Sequence, residues 1–259
     1  MSPRLVLCIA ASACLGLSAC GRDPAPAPPA PATTVASGQL TDSAHSDKYR
    51  VIIHYPALPA TQAPLAEALR QFGDHAKHDF LATFADPARL PRTSSYPWTM
   101  TLDFKVEART PDFVSVVAKG DSYTGGAHGN PILASFTYAI GEDRIVTLED
   151  LFTDMPGGLR ALSAAARADL RGRLGAPPGA GIGSDANWID TGTAPTAANY
   201  QVFSVHPGGD RADGLQLWFA PYQVASYADG VQTVEIPAAA FAAQLKPGYR
   251  AAFGLAGAH

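Results

Sequence analysis

Between Pro97 and Arg109 the chain alternates without a break. Trp98, Met100, Leu102, Phe104 and Val106 fall on one side, and Thr99, Thr101, Asp103, Lys105 and Glu107 on the other. A period of two puts every apolar side chain on one face of a strand. Such a strand belongs in a sheet that is dry on one side and wet on the other, the habit of antiparallel sheets. Thr110-Pro111-Asp112 supplies a turn, and residues 113–119 return as its partner. The same pattern predicts strands at 49–55, 132–140, 144–147, 200–205, 215–219 and 231–236.

Two stretches break the alternation. Leu65, Leu69, Phe72, Ala76, Phe80 and Phe84 recur at spacings of three and four, so 63–85 is expected to be an amphipathic helix. Leu159, Leu162, Ala166, Leu170 and Leu174 mark a second, stopped by Gly175. Thr147-Leu148-Glu149-Asp150 has the hydroxyl cap and early acids of a helix start. Residues 121–131 are expected to be a glycine-rich loop, 176–198 a long surface loop, and 238–245 a short helix. The fold class that follows is α+β, with antiparallel sheet hairpins and two main helices packed on one face.

The N-terminal segment is of another kind. Arg4 precedes a short apolar run that ends in Leu17-Ser18-Ala19-Cys20. This is the order of a secretory signal, and the run is shorter than the roughly 20 residues that span a bilayer. The last four residues match the lipobox of bacterial lipoproteins. Residues 1–19 are therefore expected to be a signal peptide and Cys20 the lipidated residue. The Pro/Ala-rich segment up to residue 44 reads as an extended linker, and a folded domain is expected over 45–259, divisible at 45–124 and 125–259. Cys8 and Cys14 would leave with the signal, so no disulfide is available to the domain and packing alone must hold it. Processing removes Arg4 and no acid, leaving 18 basic residues against 23 acidic ones. This balance argues against nucleic acid as a partner.

Three motifs carry the functional signal. They are Tyr123-Thr124-Gly125-Gly126-Ala127-His128-Gly129, then FTYAIGEDRIVTLEDLF over 136–152, then FAPYQVASYADG over 219–230 followed by Val234-Glu235-Ile236-Pro237. In this order they resemble a family of bacterial envelope domains of largely unknown function. That family is shared by the lysozyme-sensing anti-sigma factor RsiV and the non-catalytic region of the peptidoglycan deacetylase PdaC. The resemblance runs from about Tyr49 to Phe241. It implies a non-enzymatic lipoprotein of the cell envelope that binds a protein or glycan at the cell wall, with a lysozyme-like hydrolase or peptidoglycan as candidate partner. In a cell with two membranes the expected lipid anchor on Cys20 implies the periplasmic face of the outer membrane, because Gly21 is not the Asp that commonly retains lipoproteins at the inner one.

Candidate binding residues are Tyr123, Gly125, Gly126 and His128 in the first motif, and Tyr222 and Tyr227 in the third. No catalytic residue, metal ligand or cofactor is expected. The chain has no Gly-x-Ser-x-Gly, and the Gly125-Gly126 loop lacks the Lys and Ser/Thr of a phosphate loop. His75 and His78 could face the same way on a helix, but zinc needs further ligands. Glu142, Asp143, Glu149 and Asp150 read as a polar turn and a helix start rather than a catalytic acid pair. The alternative is a metal-assisted hydrolase or deacetylase acting on peptidoglycan.

Overall fold

The computed structural model describes residues 40–85, 97–175 and 185–255. The expected signal peptide, Cys20 and the linker to residue 39 lie outside the described residues. Among these residues there are nine strands in two sheets. The larger sheet takes its strands in chain order: β1 Leu40–His45, β2 Tyr49–Tyr55, β3 Trp98–Arg109, β4 Phe113–Tyr123, β5 Asn130–Ala139 and β6 Arg144–Val146. Neighbours are antiparallel except β2 and β3. Between those two lies the helix α1, Ala63–Ala82. It carries the chain back along the sheet, so the strands on either side run the same way.

The alternation of β3 does what its period requires. Trp98, Met100, Leu102 and Phe104 are buried together with Val51, Ile53, Val114 and Val116. Leu65, Leu69 and Phe80 of α1 close this core. Phe72 meets Phe104 and Phe136 edge-on, with centroids 6.1 and 5.6 Å away. Edge-to-face pairs of this kind add about 0.5–1.5 kcal/mol each beyond the area they bury.

The smaller sheet is antiparallel, from β7 Phe203–Pro207, β8 Ala212–Phe219 and β9 Gln232–Pro237. The short helix α2, Leu148–Leu151, is followed by α3, Met155–Leu174. Leu159, Leu162, Ala166 and Leu170 of α3 share a core with Val205, Leu217, Phe219 and Val234. The α+β reading holds, with each long helix covering its own sheet. The smaller sheet lies over the outer face of the larger one at β7, so residues 113–118 of β4 are buried on both sides. The Ser115 hydroxyl accepts the Val205 N–H at 3.1 Å, and Ser135 accepts that of Phe203 at 2.9 Å.

Four boundaries differ from expectation. β1 pairs along its whole length with β2, and Asp42 holds Lys77 of α1 at 2.8 Å, so the fold already includes Leu40. The 121–131 loop shrinks to 124–129, because pairing continues through Thr99↔Tyr123 and Ser122↔Asn130. The 176–198 segment contains α4, Asp185–Gly192, where Ile189 is buried and Asp190 binds Arg171 at 2.6 Å. Its Gly/Ala/Pro content hid these anchors. The 238–245 segment makes only a single 3-10 turn at Ala238–Ala240. The Gln244 carbonyl is taken by Thr153 and Leu245 bridges Phe152, which leaves no backbone for a helix. A last helix, α5, follows at Pro247–Arg250.

Candidate functional site

The first and third motifs meet. His128 and Tyr222 are 94 residues apart, yet Nε2 of the imidazole lies 3.0 Å from the Tyr222 hydroxyl. The Tyr227 ring stacks on His128, with centroids 4.0 Å apart and planes 20° apart. Tyr222 also touches Tyr227 at 5.6 Å and stands edge-on to Trp188 of α4 at 6.1 Å. Four rings from three segments therefore form one cluster at the surface.

Each loop is built to hold its ring. Gly125 and Gly126 have φ of 87° and 134°, angles that side chains rarely take. The Tyr123 hydroxyl donates to the Gly126 carbonyl at 3.1 Å and fixes the loop tip. His128 Nδ1 lies 2.9 Å from the Gly129 carbonyl. A carbonyl only accepts, so Nδ1 carries a proton, and in the neutral ring Nε2 accepts from the Tyr222 hydroxyl. The resting direction of that hydroxyl is thus set by the backbone of the other loop.

Tyr222 has φ 71° and is half-exposed. A bulky residue there is strained by about 1–3 kcal/mol and persists only where its surroundings enforce it. Here the Tyr222 N–H donates to Ala225 O at 3.0 Å. Gln223 ties the turn to the Gly192 and Asn199 carbonyls at 3.2 and 3.0 Å, and Val224 is buried beneath it. Ser226 and Asp229 close a capping box around Tyr227. The structure therefore brings Tyr123, Gly125, Gly126, His128, Tyr222 and Tyr227 into one site. Trp188 and Gln223 complete it, and neither was singled out from sequence. Trp188 sat in a stretch whose composition reads as loop, although a Trp-Ile pair in such a stretch was an available signal.

The other candidates lie elsewhere. His75 and His78 are exposed on α1, and His75 pairs with Asp79 at 3.3 Å. Among the described residues, no three His, Cys, Asp or Glu side chains converge as metal ligands would. Glu142 and Asp150 both hold Arg144, at 2.7 and 2.9 Å, and Asp143 takes the Tyr138 hydroxyl. The hydroxyl of Tyr249 and the Arg144 guanidinium hold the Glu142 carboxyl below its ordinary range. These acids brace the turn before α2.

A family model described as "Deacetylase PdaC" matches residues 43–131, and one described as a protein of unknown function (DUF3298) matches 149–239. The peptidoglycan-N-acetylmuramic acid deacetylase PdaC of Bacillus subtilis is 24% identical over 188 residues, 73% of this chain and 37% of its own. The chain thus spans little more than a third of that relative. Solved DUF3298 structures share the fold. One from Bacteroides fragilis is 16% identical with a TM-score of 0.52, covering 83% of this chain and 94% of its own. One from Pseudomonas aeruginosa is 18% identical with a TM-score of 0.53, covering 81% and 94%. His128 comes from the first matched region, and Tyr222 and Tyr227 from the second. With both regions in order on one fold, these matches support a DUF3298/PdaC-associated envelope domain family for this chain.

Proposed function

We propose that this chain is a non-enzymatic envelope lipoprotein whose domain binds a protein or glycan partner of the cell wall through the His128–Tyr222–Tyr227 cluster. The observation that carries the reading is the strained, half-exposed Tyr222 hydrogen-bonded to His128 across two motifs. Strain kept at a surface without a core to fill is a feature of binding and switching sites. Aromatic rings with polar tips are the side chains that dominate such contacts. The sharpest candidate partner is a lysozyme-like hydrolase, a cationic protein that the acidic balance of the processed chain, 18 basic residues against 23 acidic ones, would attract at low salt.

The test is a calorimetric titration of the full chain with a C-type lysozyme at physiological salt. Saturable heat that weakens with His128→Ala or Tyr227→Ala is the expected result. No heat at micromolar concentrations would remove lysozyme as the partner. Anchoring by lipid on Cys20, at the periplasmic face of the outer membrane where two membranes exist, belongs to the same reading. Cys20→Ser should then move the protein from the membrane to the soluble fraction, and retention in the membrane would count against it.

A second reading draws on the description of the matched 43–131 region, namely a deacetylase acting on peptidoglycan. Release of acetate from purified peptidoglycan by the full chain, with zinc supplied, would favour it over binding alone.

A further inference from the structure

A sheet edge is a row of unpaired backbone donors and acceptors, and folded proteins cover or blunt such rows. Among the described residues the two sheets end in β1, β6, β7 and β9. Three of these edges are covered or short. On β7 the N–H groups of Phe203 and Val205 are taken by the hydroxyls of Ser135 and Ser115. On β9 the Arg173 guanidinium donates to the Thr233 carbonyl at 2.7 Å. β6 is 3 residues long. β1 is different. It is 6 residues long, it pairs with β2 on one side, and no described strand pairs with the other.

The devices that blunt an edge are missing from β1. Leu40-Thr41-Asp42-Ser43-Ala44-His45 holds no Lys and no Pro, and its register with β2 runs without a bulge. Its one acid, Asp42, is neutralised by Lys77 of α1 at 2.8 Å. Thr41, Ser43 and His45 are exposed, and Leu40 keeps 58% of its surface in water.

The direction of the free groups follows from the hairpin. The Ser46 N–H donates to the Tyr49 carbonyl at 2.8 Å. Bonding alternates along an antiparallel pair, so Ala44, Asp42 and Leu40 also bond to β2, while Thr41, Ser43 and His45 turn N–H and C=O outward. These outward residues complement a copy of themselves. In an antiparallel pair centred on Ser43, Ser43 lies opposite Ser43 of a second copy, and Thr41 lies opposite its His45. Every outward donor then meets an acceptor. Asp42 falls opposite Ala44 of the second copy, so no like charges face each other, and Leu40 reaches the same Ala44 diagonally. Centring on Asp42 instead would set two carboxylates opposite each other at the close spacing of about 4.5 Å.

We propose that β1 joins two copies of this chain edge to edge, as an antiparallel pair with Ser43 on the twofold axis. The contact is one strand wide, so it is weaker than the large apolar interfaces of obligate dimers. It uses none of the aromatic cluster, and it stands or falls independently of the partner assigned there.

The test is sedimentation equilibrium of the full chain in density-matched detergent, from micromolar to millimolar protein. A concentration-dependent monomer–dimer equilibrium is expected. Ser43→Pro removes an outward N–H and no bond to β2. It should raise the dimer dissociation constant about tenfold or more, the scale of the two hydrogen bonds lost across the axis. Ser43→Lys and Ser43→Glu each place like charges face to face and should also weaken the dimer. Mixing Ser43→Lys with Ser43→Glu in equal amounts should restore it, which misfolded variants could not do. A monomer throughout the range would overturn the proposal and leave the edge to a strand of another protein. A dimer indifferent to Ser43→Pro and Ser43→Lys would overturn it too, because another surface would then hold the copies together. So would a mixture of Ser43→Lys and Ser43→Glu that associates no more tightly than either alone.

Discussion

At the scale of single residues, Tyr222 is the most informative position. Its positive φ and its hydrogen bond to His128 pull in opposite directions energetically. Replacement by Ala removes the ring but keeps the Cβ that the left-handed backbone disfavours. Replacement by Gly removes both. Tyr222→Gly should therefore be more stable than Tyr222→Ala by about 1 kcal/mol, read as a shift in urea midpoint at constant slope. Equal midpoints would mean that the turn relaxes and no strain is stored. Both variants should lose partner binding, since each lacks the ring. The candidate residues of this site were legible in the motifs, because glycines clustered around a histidine and tyrosines flanking Val224-Ala225 are unusual local patterns. That His128 and Tyr222 touch was not legible. Their contact depends on the turn bolted down by Gln223 and on the way the smaller sheet sits over the larger, which no local period encodes.

At the scale of elements, the strongest periodicities predicted best. β3 and α1 run almost as read, since each has one dry face and one wet one. α4 was missed because its anchors, Ile189 and Asp190, are few and lie in a Gly/Ala/Pro-rich stretch. β1 was missed because its six residues are mostly polar, and only pairing with β2 makes it a strand. The start of α2 was legible as Thr147 followed by Asp150, and it carries a prediction. Burial pulls the Asp150 carboxyl up, but the Thr147 N–H and hydroxyl and the Arg144 guanidinium outweigh it and hold it below its ordinary 3.8. A depressed carboxyl stabilises the fold fully above its unfolded value, and that stabilisation is lost as pH falls through the folded value. Asp150→Asn should thus cost about 1 kcal/mol at neutral pH, as cap losses do. It should also show a shallower loss of stability than the parent below about pH 4. Superimposable acid limbs in chemical denaturation would show that Asp150 is not a source of the acid sensitivity.

At the scale of the whole molecule, the question is whether two sheets with two cores behave as one body. Their junction is polar but dry. Ser115 and Thr137 are buried, and their hydroxyls lie 3.0 Å apart between the sheets. Ser115 also accepts the Val205 N–H, and Ser135 the Phe203 N–H, so two backbone donors of β7 are satisfied by side chains of the larger sheet. Detaching the smaller sheet would leave those donors without partners and would uncover the outer face of β4, which is buried over 113–118. Neither half is therefore complete alone, and the domain should melt in one calorimetric transition with matching van't Hoff and calorimetric enthalpies. Ser115→Ala removes only the hydroxyl and leaves the Val205 N–H unpaired, a cost of about 1–3 kcal/mol. If the sheets are coupled, that loss lowers the single transition as a whole. If they are separable, the same substitution splits the melt in two, with the smaller sheet leaving first and the larger keeping its own midpoint. A single lowered transition would also account for an aromatic cluster shared between the two matched regions. His128 on one and Tyr222 on the other can hold a 3.0 Å contact only if the junction beneath them does not open.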